Sequence, residues 1–178
     1  MDLGLSGGFR FALLICALLL AGCKNGAVRV QQTVEEAPQL PPSVGMGDPK
    51  SAAQLVSGFH AIEDNAWRWT QKQFSVKLGR PLGAARTGAA LSLSLGVPPV
   101  VIEKSGPVTL TASIDGTDLA PQTYSKPGAD TYKRDVPANL LAGDPVRVDF
   151  RLDKVMPPAG GDVRELGIVV LSAGLEAK

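Results

Sequence analysis

Hydrophobic and polar residues alternate strictly in several short stretches of this chain. Val146, Val148, Phe150 and Leu152 alternate with Arg147, Asp149 and Arg151, and Leu91, Leu93 and Leu95 alternate with Ser92 and Ser94. Val108, Leu110, Ala112 and Ile114 repeat the pattern against Thr109, Thr111 and Ser113. Successive strand residues point to opposite faces, so each run predicts a strand with one face buried and one in water. Asp115-Gly116 follows the third run directly and predicts a tight type I′ hairpin turn, which needs positive φ at both central positions.

Around the tryptophans the parity breaks. Trp67 and Trp69 share one face of an extended segment, with Arg68 and Thr70 on the other. Phe74, Val76 and Leu78 share a face too, but on even positions. One straight strand cannot bury both sets, because a single-residue slip exchanges the faces. A turn or bulge at Gln71-Lys72 is therefore expected, separating a Trp67–Thr70 strand from a Gln73–Leu78 strand.

Other segments complete a β pattern. Short strands are expected at Thr123–Tyr124 and Thr131–Val136, and a helical turn at Pro137–Leu141. Leu166–Leu171 is apolar at nearly every position and predicts a central strand covered on both faces. Ala52, Ala53, Leu55 and Val56 fit either a short helical turn or an edge strand. About 7–9 strands at turn-punctuated spacing imply an all-β fold, an antiparallel β-sandwich or jelly roll.

The N-terminus follows a different logic. Phe11–Leu20 is an apolar run behind Arg10, ending at Ala21-Gly22-Cys23. It falls short of the roughly 20 residues that cross a bilayer and fits a signal segment. Leu20-Ala21-Gly22-Cys23 resembles the bacterial lipobox. That resemblance implies cleavage after residue 22 and lipidation of Cys23, which would make membrane lipid a partner. Lys24 implies sorting to the outer membrane of the bacterial envelope. Several acyl chains would hold such a protein on a bilayer essentially permanently. Residues 23–50, with Pro38, Pro41, Pro42 and Pro49, read as a flexible tether, and residues 51–178 as the β-sandwich domain.

Composition narrows the chemistry. Basic and acidic residues number 18 and 17 with no basic block, so no electrostatic footprint for nucleic acid exists. Of the two cysteines, Cys16 would leave with the signal and Cys23 would carry lipid. No thiol then remains for a disulfide, a metal or a nucleophile. His60 is the one histidine, and no glycine-framed serine elbow is present, so nucleophilic catalysis is disfavoured and no enzyme is expected. No metal or other cofactor is expected either. Glu63, Asp64, Glu103 and Asp162 are the nominees for an acid pair of the kind glycoside hydrolysis needs.

Two stretches carry a second resemblance. Gly58-Phe59-His60-x-x-Glu63 with Trp67-Arg68-Trp69-Thr70, and Asp162-x-Arg164-x-Leu166-Gly167-Ile168, resemble the carbohydrate-binding-like β-sandwich modules found beside bacterial glycosyltransferases. The resemblance implies the fold more than the ligand. Sugar recognition uses aromatic platforms and planar polar groups, which makes His60, Glu63, Trp67, Arg68 and Trp69 the candidate ligand-binding residues. Arg68 and Arg164 alternatively brace loops by pairing with Glu63 or Asp162, and the tryptophans alternatively pack in the core. The function expected is non-catalytic recognition of an envelope glycan. The alternative is a structural or assembly lipoprotein that docks an envelope protein, for instance by strand addition.

Overall fold

The alternating runs become the core strands of an all-β sandwich. The computed structural model describes residues 39–178. The expected signal segment, Cys23 and the tether up to residue 38 lie outside the described residues. Ten strands are described: β1 Ser43–Gly45, β2 Leu55–Glu63, β3 Trp67–Leu78, β4 Ala89–Val97 and β5 Val108–Ile114, then β6 Thr117–Asp118, β7 Gln122–Tyr124, β8 Gly128–Val136, β9 Val146–Leu152 and β10 Val169–Ala177. Two short helices, α1 Ala84–Thr87 and α2 Pro99–Ser105, sit in the connections. A 3₁₀ turn at Ala138–Leu141 matches the expected helical turn.

All pairings are antiparallel, and the sheet runs β6-β5-β9-β3-β10-β4-β8. The sheet curls, so that the arm holding β5 and β9 faces the arm holding β4 and β8 over one core. Tyr132 of β8 spans the gap: its ring is fully buried and its hydroxyl accepts from Ala112 N of β5 at 3.4 Å. Phe74 of β3 stacks on its register partner Phe150 of β9 with ring centroids 4.9 Å apart. The inward sets expected for β4, β5 and β9 are all buried, as alternation requires. Asp115 and Gly116 have φ of 49° and 74°, as the expected primed turn demands.

The tryptophan segment meets its expectation in part. There is no turn at Gln71-Lys72, and β3 is continuous from Trp67 to Leu78, but the bulge is there: against β2 the register of β3 jumps from Thr70 to Ser75 while β2 moves only from Phe59 to Ser57. What changes at that point is the partner. Trp69 and Arg68 pair with Val169 and Val170 of β10, whereas Gln73–Leu78 pair with β9. At the fork the Glu165 carboxylate accepts from Lys72 N at 2.7 Å. The parity conflict is settled by Thr70. It is fully buried on the same parity as Phe74, Val76 and Leu78, and the tryptophans take the outer parity.

Three other boundaries also shift. Ser43–Gly45, inside the expected tether, pair with β10, and Val44 and Met46 enter the core. Alternation at Val44 and Met46 supplies the buried face, so the fold takes in residues upstream of 51. Both options for residues 52–56 are realised in sequence, a 3₁₀ turn over Pro49–Ala53 and then β2. Finally, β10 starts only at Val169 and continues to Ala177; Leu166 bridges Met156 instead, and Leu171 sits 41% exposed at a register shift.

The two ends of the sandwich are distinct. Pro41 and Pro42 carbonyls accept from Gly79 N and Leu175 N, so the described chain enters beside the end of β3. Trp67 begins β3 twelve residues away, about 35 Å at strand rise.

Candidate functional site

All five expected residues lie on the β2–β3 hairpin, where Glu63 pairs with Trp67 and Ile62 with Arg68. Asp64 and Asn65 make the turn with φ of 51° and 53°, a conformation that Asp and Asn tolerate better than other side chains. The hairpin brings the candidates together, but their partners separate them into two groups.

Three of the five are committed to internal contacts. The His60 Nε2–H donates to the Glu165 carbonyl at 2.7 Å. Arg68 donates to the Met46 carbonyl at 3.2 Å and to the His60 carbonyl at 2.9 Å, so it braces backbone and pairs with neither Glu63 nor Asp162. Glu63 accepts from Arg164 Nη1 at 2.7 Å. Arg164 also grips Asp162 through Nε and Nη2, at 3.0 and 2.8 Å. Hydrogen bonds from the Arg164 side chain and backbone hold the Asp162 carboxyl down at about 2, and the side-chain hydrogen bonds to Asp162 and Glu63 push the Arg164 guanidinium up. A carboxyl so firmly ionised is a poor general acid. Glu63 and Asp162 therefore share one arginine and do not face each other across a cleft.

Trp67 and Trp69 form the second group. They meet edge to face with centroids 6.2 Å apart and both are part-exposed. Trp69 packs against buried core residues. Trp67 instead walls an open groove of about 460 Å³. Val97, Pro98 and Pro99 at the end of β4, Pro127 before β8, and Gly96, Gly128 and Val169 complete it. Val169 and Gly96 are register partners, so the groove crosses the outer face of the sheet from β3 to β8. A Cβ built on Gly96 would meet the Gly128 carbonyl and Val169 at 3.9 and 4.0 Å, ordinary van der Waals contact, so the groove floor admits a side chain there. Among the described residues, no titratable side chain lines it.

A different concavity lies on the other arm, where Ser57, Gln73, Ser75, Arg147, Asp149 and Arg151 enclose about 230 Å³. Its charges are mutually engaged: Ser75 donates to Asp149 at 2.5 Å and Arg147 pairs with Asp149 at 2.8 Å. Burial pushes the Asp149 carboxyl up, but the Arg147 and Ser75 hydrogen bonds and the Arg147 charge outweigh it, and the net shift is downward. Among the described residues, the only ring in its lining is Phe150, whose side chain is buried in the core.

The walls of the Trp67 groove escaped the sequence reading. Pro98, Pro99, Pro127 and the two glycines signalled only strand ends and turns. Nothing local places them beside Trp67; strand order does.

No protein-family model matches the chain, and no curated protein matches it. Among solved structures, a carbohydrate-binding module described for specific mannan recognition is similar, with a TM-score of 0.42 and 11% identity over 78% of this chain and 97% of that one.

Proposed function

We propose that this sandwich is a non-catalytic recognition module that takes a neutral glycan in the Trp67 groove, carried on the bacterial envelope through lipidated Cys23. The observation that carries the reading is the outward Trp67 ring, outside the core cluster, walling an apolar groove of about 460 Å³. Sites of that size bury a small ligand mainly through apolar and aromatic contact, with few polar groups fixing its orientation. The apolar face of a pyranose suits an indole wall, and an uncharged lining suits an uncharged sugar. The groove also lies at the end of β3 remote from the point where residues 41–42 enter the fold.

The test is titration of the full chain with a panel of neutral envelope and plant-type glycans, read by tryptophan fluorescence. Both tryptophans of the chain report from this face. A saturable change for one glycan, lost in a folded Gly96→Leu variant that fills the groove, supports the proposal. A flat response across the panel overturns it and favours docking of an envelope protein, whose proline-bearing segments would also fit an apolar aromatic groove. Anchoring is tested separately: Cys23→Ser moves the protein from the membrane fraction to the soluble one, and unchanged partitioning overturns that part.

A further inference from the structure

We infer that a second pocket, between α2 and the ribbon from Met156 to Leu166, binds a single-chain apolar carboxylate of the fatty-acid type. The pocket holds about 420 Å³, within the range of small-ligand sites, and shares no residue with the Trp67 groove. Val100 of α2 and Met156, Pro157, Ala159 and Leu166 of the ribbon give it apolar walls. The methionine is well suited to an alkyl chain, because its unbranched thioether adapts to irregular apolar shapes.

The ribbon wall is fixed in place. Met156 and Leu166 exchange two backbone hydrogen bonds at 2.8 and 3.0 Å, and Ala159 and Asp162 exchange another pair at 3.0 and 3.1 Å. Arg164 then ties the ribbon to the β2–β3 hairpin through Glu63. The facing wall is α2, where Val100 remains 39% exposed, large for an apolar residue lining a pocket.

The charge at the mouth selects the head group. Three charged residues line the pocket, Lys104, Asp162 and Arg164. Arg164 is taken up by Asp162 and Glu63, two carboxylates to one guanidinium, while Lys104 has no ion-pair partner among the described residues. One uncommitted ammonium beside an apolar cavity complements a carboxylate on an alkyl tail. It gives no reason to take a neutral alcohol more tightly than the tail alone allows.

The full chain labelled with methyl-¹³C methionine tests this, because Met1, Met46 and Met156 are its three methionines and Met46 is fully buried in the core. Octanoate below its micelle concentration is expected to shift the Met156 methyl resonance saturably and leave Met46 unmoved. Lys104→Gln weakens octanoate up to about fivefold, the scale of a part-exposed ion pair, and leaves 1-octanol unchanged. Ala159→Phe, at an exposed position that tolerates bulk, abolishes the shift. A stationary Met156 methyl, or a response confined to Met1, overturns the pocket. Equal response to octanol and octanoate in wild type and Lys104→Gln overturns the carboxylate selectivity.

Discussion

Glu63 and Arg164 lie 101 residues apart in sequence and meet at 2.7 Å, each with its side chain about one-third exposed. This contact and the Arg164–Asp162 pair fasten the loop before β10 to the β2–β3 turn. Together with His60 on the Glu165 carbonyl and Glu165 on Lys72 N, they close the fork where β3 changes partner. The motif pieces that looked most functional thus make the frame, and the frame presents Trp67.

That frame predicts an acid-sensitive element. The folded-state pKa of Asp162 is held at about 2, below its ordinary 3.8, so it favours the folded state fully above about pH 4. The contribution is lost as pH falls through about 2. Hydrogen exchange of the 153–168 loop amides is expected to quicken over that window in wild type. Asp162→Asn removes the acid-side change and quickens exchange already at neutral pH. An unaltered pH profile in that variant would falsify the brace.

The two tryptophans are predicted to fail differently. Trp69 packs on core residues, so Trp69→Ala costs about 2 kcal/mol in urea unfolding, less than full burial would give. Trp67 stands at the groove wall, and Trp67→Ala costs less than about 1 kcal/mol while removing the ring from the groove. Glycan response is expected to vanish in Trp67→Ala with its melting temperature nearly intact. Equal stability losses for the two variants would contradict the division between platform and core.

Glycines on the two arms carry opposite expectations. Gly58 sits at an irregularity of β2 with φ of +77°, and a Cβ there would run into the Gln73 carbonyl and Phe74. Left-handed strain and this clash together make Gly58→Ala cost about 3 kcal/mol. Gly96 has room, and Gly96→Ala changes stability by less than about 0.5 kcal/mol. Paired urea melts measure both. A neutral Gly58→Ala would mean that the β2–β3 pairing can adjust at the β3 bulge that Gly58 faces.

How much of this was legible depends on range. The alternation in β4, β5 and β9 and the Asp115-Gly116 turn are local signals, and the faces they imply are the faces observed. The break at Gln71-Lys72 was visible as a parity conflict and a bulge does lie there, but the change of partner that goes with it was not visible. A strand that changes partner and a strand that turns leave the same mark on hydrophobic spacing. The candidate residues gathered on one hairpin because they are close in sequence, whereas Gly96, Pro127 and Val169 reach Trp67 only through the order of β3, β10, β4 and β8. Spacing along a chain carries no information about which strands become neighbours.

Thr70 offers the sharpest test of the fork. It is fully buried among apolar neighbours, and its hydroxyl oxygen accepts from Ile168 N at 3.2 Å, while its backbone exchanges bonds with Gly167 N and the Ile168 carbonyl. The hydroxyl supplies the partner that Ile168 N lacks just before β10 begins. Valine matches threonine in shape but leaves that buried N–H unpaired, which costs about 1–3 kcal/mol. Serine keeps the acceptor and loses one methyl, about 1 kcal/mol. Thr70→Val is therefore expected to destabilise more than Thr70→Ser despite its greater hydrophobicity, and to speed exchange of the Ile168 amide specifically. If valine proves the milder change, the hydroxyl is dispensable and the fork is held by packing alone.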